Sequence, residues 1–212
     1  MLSVELEILH RISNHPKGKI FVPDDFIAFG SQKAIHKALE RLCNKNEILR
    51  ISRGIFTRPK RDKQLGLTLP SAEEIAQSIA KRDHVKIVPS GAQALHLLGL
   101  SEQVPLNLVY LTDGSPRIIN IGARSIRFKR TSPKNLKAKG EISSLVIQAL
   151  RSIGKDGLDK VTEDKIHQIL KKEDPKKLNH DLYLPPVWIR EILQNSYDRI
   201  STAEPGRKKE NP

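Results

Sequence analysis

SQKAIHKALERLCNKNEILRISRGIFTRP, Ser31 to Pro59, is the stretch on which the reading of the chain turns. Ala34, Ile35, Ala38, Leu39 and Leu42 recur at the spacing that gathers side chains on one arc of an α-helix of about 3.6 residues per turn. Lys33, Lys37 and Asn44 fall on the other side, flanked by His36 and Arg41, so one face is core and the other is free. Asn44-Lys45-Asn46 breaks the pattern. Ile48, Ile51, Ile55 and Phe56 then lie in two short runs interleaved with Arg50, Arg53 and Arg58, and Gly54 supplies the positive φ that a tight reversal needs. A helix with a cationic outer face followed at once by an arginine-tipped hairpin is the layout of a winged helix-turn-helix. In that layout the helix enters the major groove and the wing grips the adjacent backbone.

The residues upstream supply the rest of such a unit. Leu2, Val4, Leu6, Ile8, Leu9 and Ile12 predict a first helix, stopped by Asn14-His15-Pro16-Lys17-Gly18. Lys19 to Val22 reads as a short strand. Pro23 then opens a second helix, in whose first turn a proline is tolerated and Asp24 and Asp25 suit the positive end of the dipole. Phe26, Ile27 and Phe29 would form its buried side, Gly30 closes it, and Ser31 caps the next helix.

The whole chain has 212 residues, room for two small domains with their own cores. Its formal net charge of +13 makes a polyanion the first partner to consider. A ribosome or an anionic membrane surface would use the same charge. Cys43 is the single cysteine, which excludes an intramolecular disulfide and a cysteine-built zinc site and suits a reducing compartment. Glu5 and Glu7 stand where a signal peptide would be basic, and no apolar run approaches the roughly 20 residues that span a bilayer. A cytoplasmic protein without a membrane association is expected.

Arg58 to Leu69 carries proline, glycine and charges with weak periodicity, and a helix starts afresh at Ser71-Ala-Glu-Glu74 with capping-box spacing. A boundary is predicted there, between a winged helix over residues 1–66 and a second α+β domain over residues 70–200. The Ser71 helix would turn Ile75 and Ile79 inward, and a strand from Val85 would stop at Pro89. Ser90 to Gly99 reads as a short helix entered through Ser-Gly. Leu106 to Thr112, Arg117 to Ile121 and Ser125 to Arg130 read as three strands of an antiparallel meander. Helical periodicity returns over Glu141 to Ile153, over Thr162 to Lys172, and from Pro185-Pro186 through Val187, Trp188, Ile189, Ile192 and Leu193. Residues 201–212 hold no large apolar anchor, and disorder is predicted for them.

The chemistry-bearing residues have plain alternatives. Ser90-Gly91 could hold an anion on free amides, and an ordinary cap uses the same pair. His96, on a short apolar helix, reads as a packed histidine, Asp113-Gly114 as a hairpin turn, and Trp188 as a core anchor. There is no glycine-rich phosphate loop with a lysine, no paired-histidine metal motif, no nucleophile elbow and no carboxylate cluster for a divalent metal. The reading is therefore of a protein that is not an enzyme and needs no cofactor or metal. From Arg124 to Lys139 seven residues are basic and none is acidic, so Arg124, Arg127, Lys129 and Arg130 mark a candidate second basic surface, against the plainer reading of a solvated strand. Aromatics make up 4% of the chain, which disfavours base stacking and favours contact with a duplex backbone.

Three segments taken together, ISRGIFTRP (Ile51 to Pro59), PSGAQALHLLGLSEQVP (Pro89 to Pro105) and VYLTDGSPRIINIGARSIRFKRTSP (Val109 to Pro133), resemble the AbiEi-like antitoxin family, in its shorter group with an N-terminal winged helix. The resemblance covers roughly residues 5–135. It implies a cytoplasmic repressor of its own operon, the antitoxin of a type IV toxin-antitoxin system. Such an antitoxin counteracts a nucleotidyltransferase-type toxin without a stable complex. Members of the group also occur without an evident toxin gene beside them, and the segment after Leu136 departs from a long antitoxin C-terminal domain.

The expectation is thus an α+β protein with a winged helix-turn-helix, an antitoxin-like domain and closing helices, binding double-stranded operator DNA. Ser31 and Gln32 would sit near phosphate, Lys33, His36, Lys37 and Arg41 would face the major groove, and Arg50, Arg53 and Arg58 would hold the flanking backbone or minor groove. A homodimer would suit a palindromic operator. The competing reading is a winged-helix module that docks an acidic protein, or a stand-alone regulator without a toxin.

Overall fold

Two serine hydroxyls start the first helices. Ser3 Oγ accepts from the Leu6 amide and opens α1 (Val4–Ser13), and Ser31 Oγ accepts from the Ala34 amide and opens α2 (Gln32–Asn44). The computed structural model describes residues 3–62 and 66–203. Its secondary structure is mixed α and β, and the chain divides into two compact units. One is the chain up to Val85 together with Ile119–Ile126; the other is Lys86–Ile118 together with the chain from Arg127 on. The first long segment of that division ends at Val85.

In the first unit β1 (Ile20–Phe21), β2 (Leu49–Ser52) and β3 (Ile55–Thr57) form an antiparallel sheet in the order β1-β3-β2. The β2–β3 hairpin turns at Arg53-Gly54 with Gly54 at φ 69°, as the sequence predicts. Buried Thr57 donates its hydroxyl to the Lys19 carbonyl at 2.9 Å, which fastens the hairpin to the start of β1. The core joins Ile8 and Ile12 of α1, Phe21, Phe26, the α2 residues Ile35, Ala38, Leu39 and Leu42, and Ile48 and Phe56.

One expectation needs correction here. Pro23–Phe29 is a 3-10 helix, in which Ile27 is 67% exposed while Phe26 is fully buried. With about three residues per turn, Pro23, Phe26 and Phe29 line up on one face and Ile27 is turned away. The Arg58 to Leu69 stretch, read as weakly periodic, contains a strand pair: β4 (Lys60–Asp62) pairs antiparallel with β5 (Gly66–Thr68). The unit's last helix, α3 (Ala72–Arg82), opens with the expected capping box: the Glu74 amide donates to Ser71 Oγ and the Ser71 amide donates to the Glu74 carboxylate. Ile75 and Ile79 are fully buried.

A four-stranded sheet is formed by β6 (Ile87–Ser90), β7 (Asn107–Thr112), β8 (Arg117–Ile121) and β9 (Arg124–Arg130), in the order β6-β7-β9-β8, with the end of β8 and the start of β9 falling in the Ile119–Ile126 segment. This overturns the antiparallel meander, because β9 lies between β7 and β8. The Thr131 amide donates to the Thr112 carbonyl, so β7 and β9 end side by side and run parallel. β6 also continues through Pro89, which stands opposite Tyr110; as an edge strand it tolerates a residue with no amide proton. α4 (Ala92–Leu97) follows.

Four helices complete the second unit: α5 (Glu141–Ile153), α6 (Lys160–Leu170), α7 (Pro175–Asp181), which the sequence reading lacked, and α8 (Val187–Ala203). Val146, Leu150, Ile166, Leu170, Leu178, Leu182, Ile189 and Leu193 form their shared core. Trp188 packs against its edge while Val187 is 63% exposed, so the buried anchors of α8 are Ile189 and Leu193. Helix through Ala203 takes three residues from the segment expected to be disordered; residues 204–212 and Leu2 lie outside the described residues. Asp181 and Glu173 hold the start of α5. The Asp181 carboxylate accepts from the Lys139 and Gly140 amides and the Ser143 hydroxyl, and Glu173 accepts from the Ser143 amide.

Candidate nucleic-acid interface

α2 and the hairpin after it carry most of the residues singled out in the sequence. The burial of Ile35, Ala38, Leu39 and Leu42 fixes the rotation of α2, and so leaves Gln32, Lys33, His36 and Lys37 exposed. Among the described residues no carboxylate lies within ion-pair distance of Lys33 or Lys37. Ser31 spends its hydroxyl on the cap, so what it offers beyond that is its position at the positive end of the helix.

The other expected contacts divide into two kinds. Arg50 is exposed on the edge strand β2, opposite Phe56, and close enough to Cys43 for its charge to act on the thiol; burial nevertheless pushes that thiol up. Arg53 is exposed at the tip of the hairpin. Arg41 and Arg58 are engaged inside the unit. Arg41 Nη1 lies 3.7 Å from Glu5, which Lys45 also pairs, and the Lys45 hydrogen bond holds the Glu5 carboxyl below its usual range against a smaller opposing effect of desolvation. Half-buried Arg58 donates from Nη1 to the Ser13 carbonyl at 3.0 Å, where a cation meets the negative end of α1. One guanidinium thus lies near a carboxylate of α1 while remaining exposed, and the other donates to the Ser13 carbonyl.

Sequence reasoning overlooked Arg82. Its Nη1 donates to the Arg53 carbonyl at 2.8 Å, its Nε pairs with Asp83 at 2.6 Å, and it crowds the space where a Cβ on Gly54 would stand. Arg82 thus holds the backbone of the hairpin turn from the end of α3. Nothing in the local sequence signals a contact across 29 positions.

Along β9, exposed Arg127 and Lys129 alternate with buried Ile126 and Phe128, the period-2 pattern of a half-covered strand. Arg124 and Arg130 are exposed at its two ends. Elsewhere the remaining candidates resolve into packing. Ser90 is a strand residue opposite Val109 and caps nothing, and Gly91 at φ 62° occupies the cap position of α4 without a side chain. His96 is half-buried with Nδ1 3.4 Å from the Ser101 carbonyl. Asp113 accepts from the Lys86 amide at 2.9 Å and, with β7 and β8 not adjacent, forms no hairpin turn.

The described residues contain no group of three or more His, Cys, Asp or Glu able to hold a metal ion, and no helix long and apolar enough to cross a membrane. A trio of Glu163, His167 and Ser196 that the sequence did not suggest lies between α6 and α8. His167 Nδ1 meets Ser196 Oγ, and Nε2 lies 3.4 Å from Glu163 without hydrogen-bond alignment. Ser196 donates its proton to the Ile192 carbonyl at 3.0 Å, and both Ser196 and His167 are buried. The His167–Ser196 contact joins α6 to α8. Burial, aided by the charge of Arg199 and opposed by Glu163, holds the His167 imidazole below its usual range.

Residues 7–178 match the family of unknown function DUF6088. Among solved structures, the RV2827C protein from Mycobacterium tuberculosis aligns with 92% of this chain and 82% of its own at 11% identity and a TM-score of 0.44. No curated protein matches the chain.

Proposed function

We propose that this chain, which belongs to the family of unknown function DUF6088, is a DNA-binding transcriptional repressor whose first unit is a winged helix-turn-helix. The observation that carries the reading is the outer face of α2. It presents Gln32, Lys33, His36 and Lys37 to solvent and leads within a few residues into a hairpin with exposed Arg50 and Arg53. A helix of 13 residues is about 20 Å long, a length that lies comfortably in a major groove. On this reading α2 reads base edges and β2–β3 is the wing on the neighbouring backbone. Arg41 and Arg58, each with a partner in α1, rank as contacts behind the cations of α2 and the hairpin that are unpartnered among the described residues.

The resemblance of Pro89 to Pro105 and Val109 to Pro133 to AbiEi-like antitoxins extends the proposal to the second unit. That unit would counteract a nucleotidyltransferase-type toxin in the cytoplasm without forming a stable complex with it. Co-expression with a toxin gene neighbouring its own should restore growth, and undiminished toxicity would remove the antitoxin half alone.

The repressor half is tested by binding the purified chain to the DNA upstream of its gene and to scrambled duplex of equal length, across a salt series. Preference for its own promoter with an appreciable salt slope is expected. Equal, weak binding to both duplexes would overturn it and turn the search to an acidic protein partner.

A further inference from the structure

Away from α2 and the hairpin, the first unit contains a cleft of about 360 Å³, within the range of small-molecule sites. α1, β1, the 3-10 helix and α3 form its walls. Arg11, Lys19, Lys81 and Arg82 line it, four permanent cations, with His15 and His84 beside them. Two carboxylates oppose them, and one, Asp25, already accepts from the Val22 amide at 2.9 Å.

Arg82 apart, which pairs with Asp83 and the Arg53 carbonyl, the cations are short of partners. Lys19 Nζ lies 3.1 Å from the His15 ring and 5.6 Å from the Phe21 ring centroid, with no carboxylate in reach among the described residues. Arg11 and Lys81 likewise have no ion pair there. Desolvation, then the charges of Lys19 and Arg11, hold the His15 imidazole below its usual range. Desolvation is the larger cause, and the two cations add to it against Asp25. The concavity of the cleft suits a compact anion better than the convex backbone of a duplex. Arg82 joins this cleft to the hairpin, since the guanidinium that lines it also donates to the Arg53 carbonyl.

We infer that the cleft between α1 and α3 is an effector site for a small phosphate-bearing polyanion, and that its occupancy is read by the Arg53-Gly54 turn through Arg82. A bound polyanion draws the Arg82 guanidinium to itself, weakens its hold on the Arg53 carbonyl and loosens the turn. The regulatory meaning of that step rests on the DNA-binding reading above; the binding and the loosening do not.

Pyrophosphate titrated calorimetrically into the full chain at low salt reads the site without DNA. Saturation at one site is expected, with affinity at least about tenfold weaker in a Lys19→Glu/Lys81→Glu chain that melts like the parent. If that variant is less stable, Lys19→Gln/Lys81→Gln takes its place. No saturation in the parent, or equal affinity in the variant, overturns the site. Hydrogen exchange over residues 50–57 reads the coupling. Pyrophosphate should speed it several-fold, and Arg82→Ala should give the fast rate without pyrophosphate; unchanged exchange at saturation overturns the coupling. If the parent does not bind pyrophosphate while the double variant loses promoter affinity, the cleft belongs to the DNA surface and the effector site is overturned. Failure of promoter binding with both DNA-free readouts positive sinks the repressor reading and leaves the effector site standing.

Discussion

Arginines close together in sequence have different work here, and substitution should separate them. Arg53, exposed at the hairpin tip, is assigned to phosphate, so Arg53→Ala should weaken binding to every duplex and reduce the salt slope by about one unit. Gln32 and Lys37 project from the outer face of α2, and their replacement by alanine should change preference among sites, by about 1–3 kcal/mol per lost base contact. Parallel losses on all sequences for all three would remove that division of labour. Arg58→Ala should leave the salt slope alone and lower stability by about 1–3 kcal/mol in chemical denaturation, because it takes a charged donor from the Ser13 carbonyl. The sequence exposed the outer face of α2 and the hairpin tip through periodicity, since both follow from which neighbours are buried. It gave no access to the roles of Arg41, Arg58 and Arg82, whose partners Glu5, Ser13 and Arg53 lie tens of positions away and are met through folding.

Elements defined by local signals were legible, and those defined by pairing were less so. α2 and α3 carry their caps and their apolar arcs within a dozen residues, and both lie where the sequence predicts. The order β6-β7-β9-β8 has no local signature, because short connections suggest neighbours while the burial of Ile126 and Phe128 favours a central place for β9. The 3-10 helix was hidden by a run of four apolar residues, Phe26 to Phe29, that suits either helical period, and β4–β5 by strands of three residues each. Two substitutions weigh the local against the packed contribution. Ser71→Ala deletes the α3 cap and its reciprocal bond and should lower stability by about 1 kcal/mol in urea denaturation. Leu39→Ala empties a fully buried position of α2 and should lower it by about 2–5 kcal/mol. A larger loss from the cap than from the core would contradict the view that packing of one apolar face, with the cap as an addition, holds these helices.

For the molecule as a whole, charge governs association and a buried imidazole ties stability to pH. The +13 excess predicts affinity for any polyanion that falls steeply with salt, so only the difference between promoter and scrambled duplex at equal salt reports recognition. Stability has its own dependence, set by His167 between α6 and α8. In the unfolded chain this histidine titrates near the ordinary value of about 6.5. In the folded chain burial, with the charge of Arg199, keeps it lower, while Glu163 and Asp164 oppose that in part. Below about pH 6.5 the unfolded state therefore holds more protons, and stability falls as pH drops towards the folded value, whereas above about pH 7 the imidazole is neutral in both states and adds no slope. His15 shifts in the same direction in the other unit, so one substitution should remove part of the effect. Thermal melts from pH 5 to 8 should show a midpoint that declines on acidification, and His167→Gln should start lower at neutral pH and decline less. Equal slopes in the two proteins would mean that His167 does not carry the acid sensitivity, and that the charge it is denied in the folded state is tolerated after all.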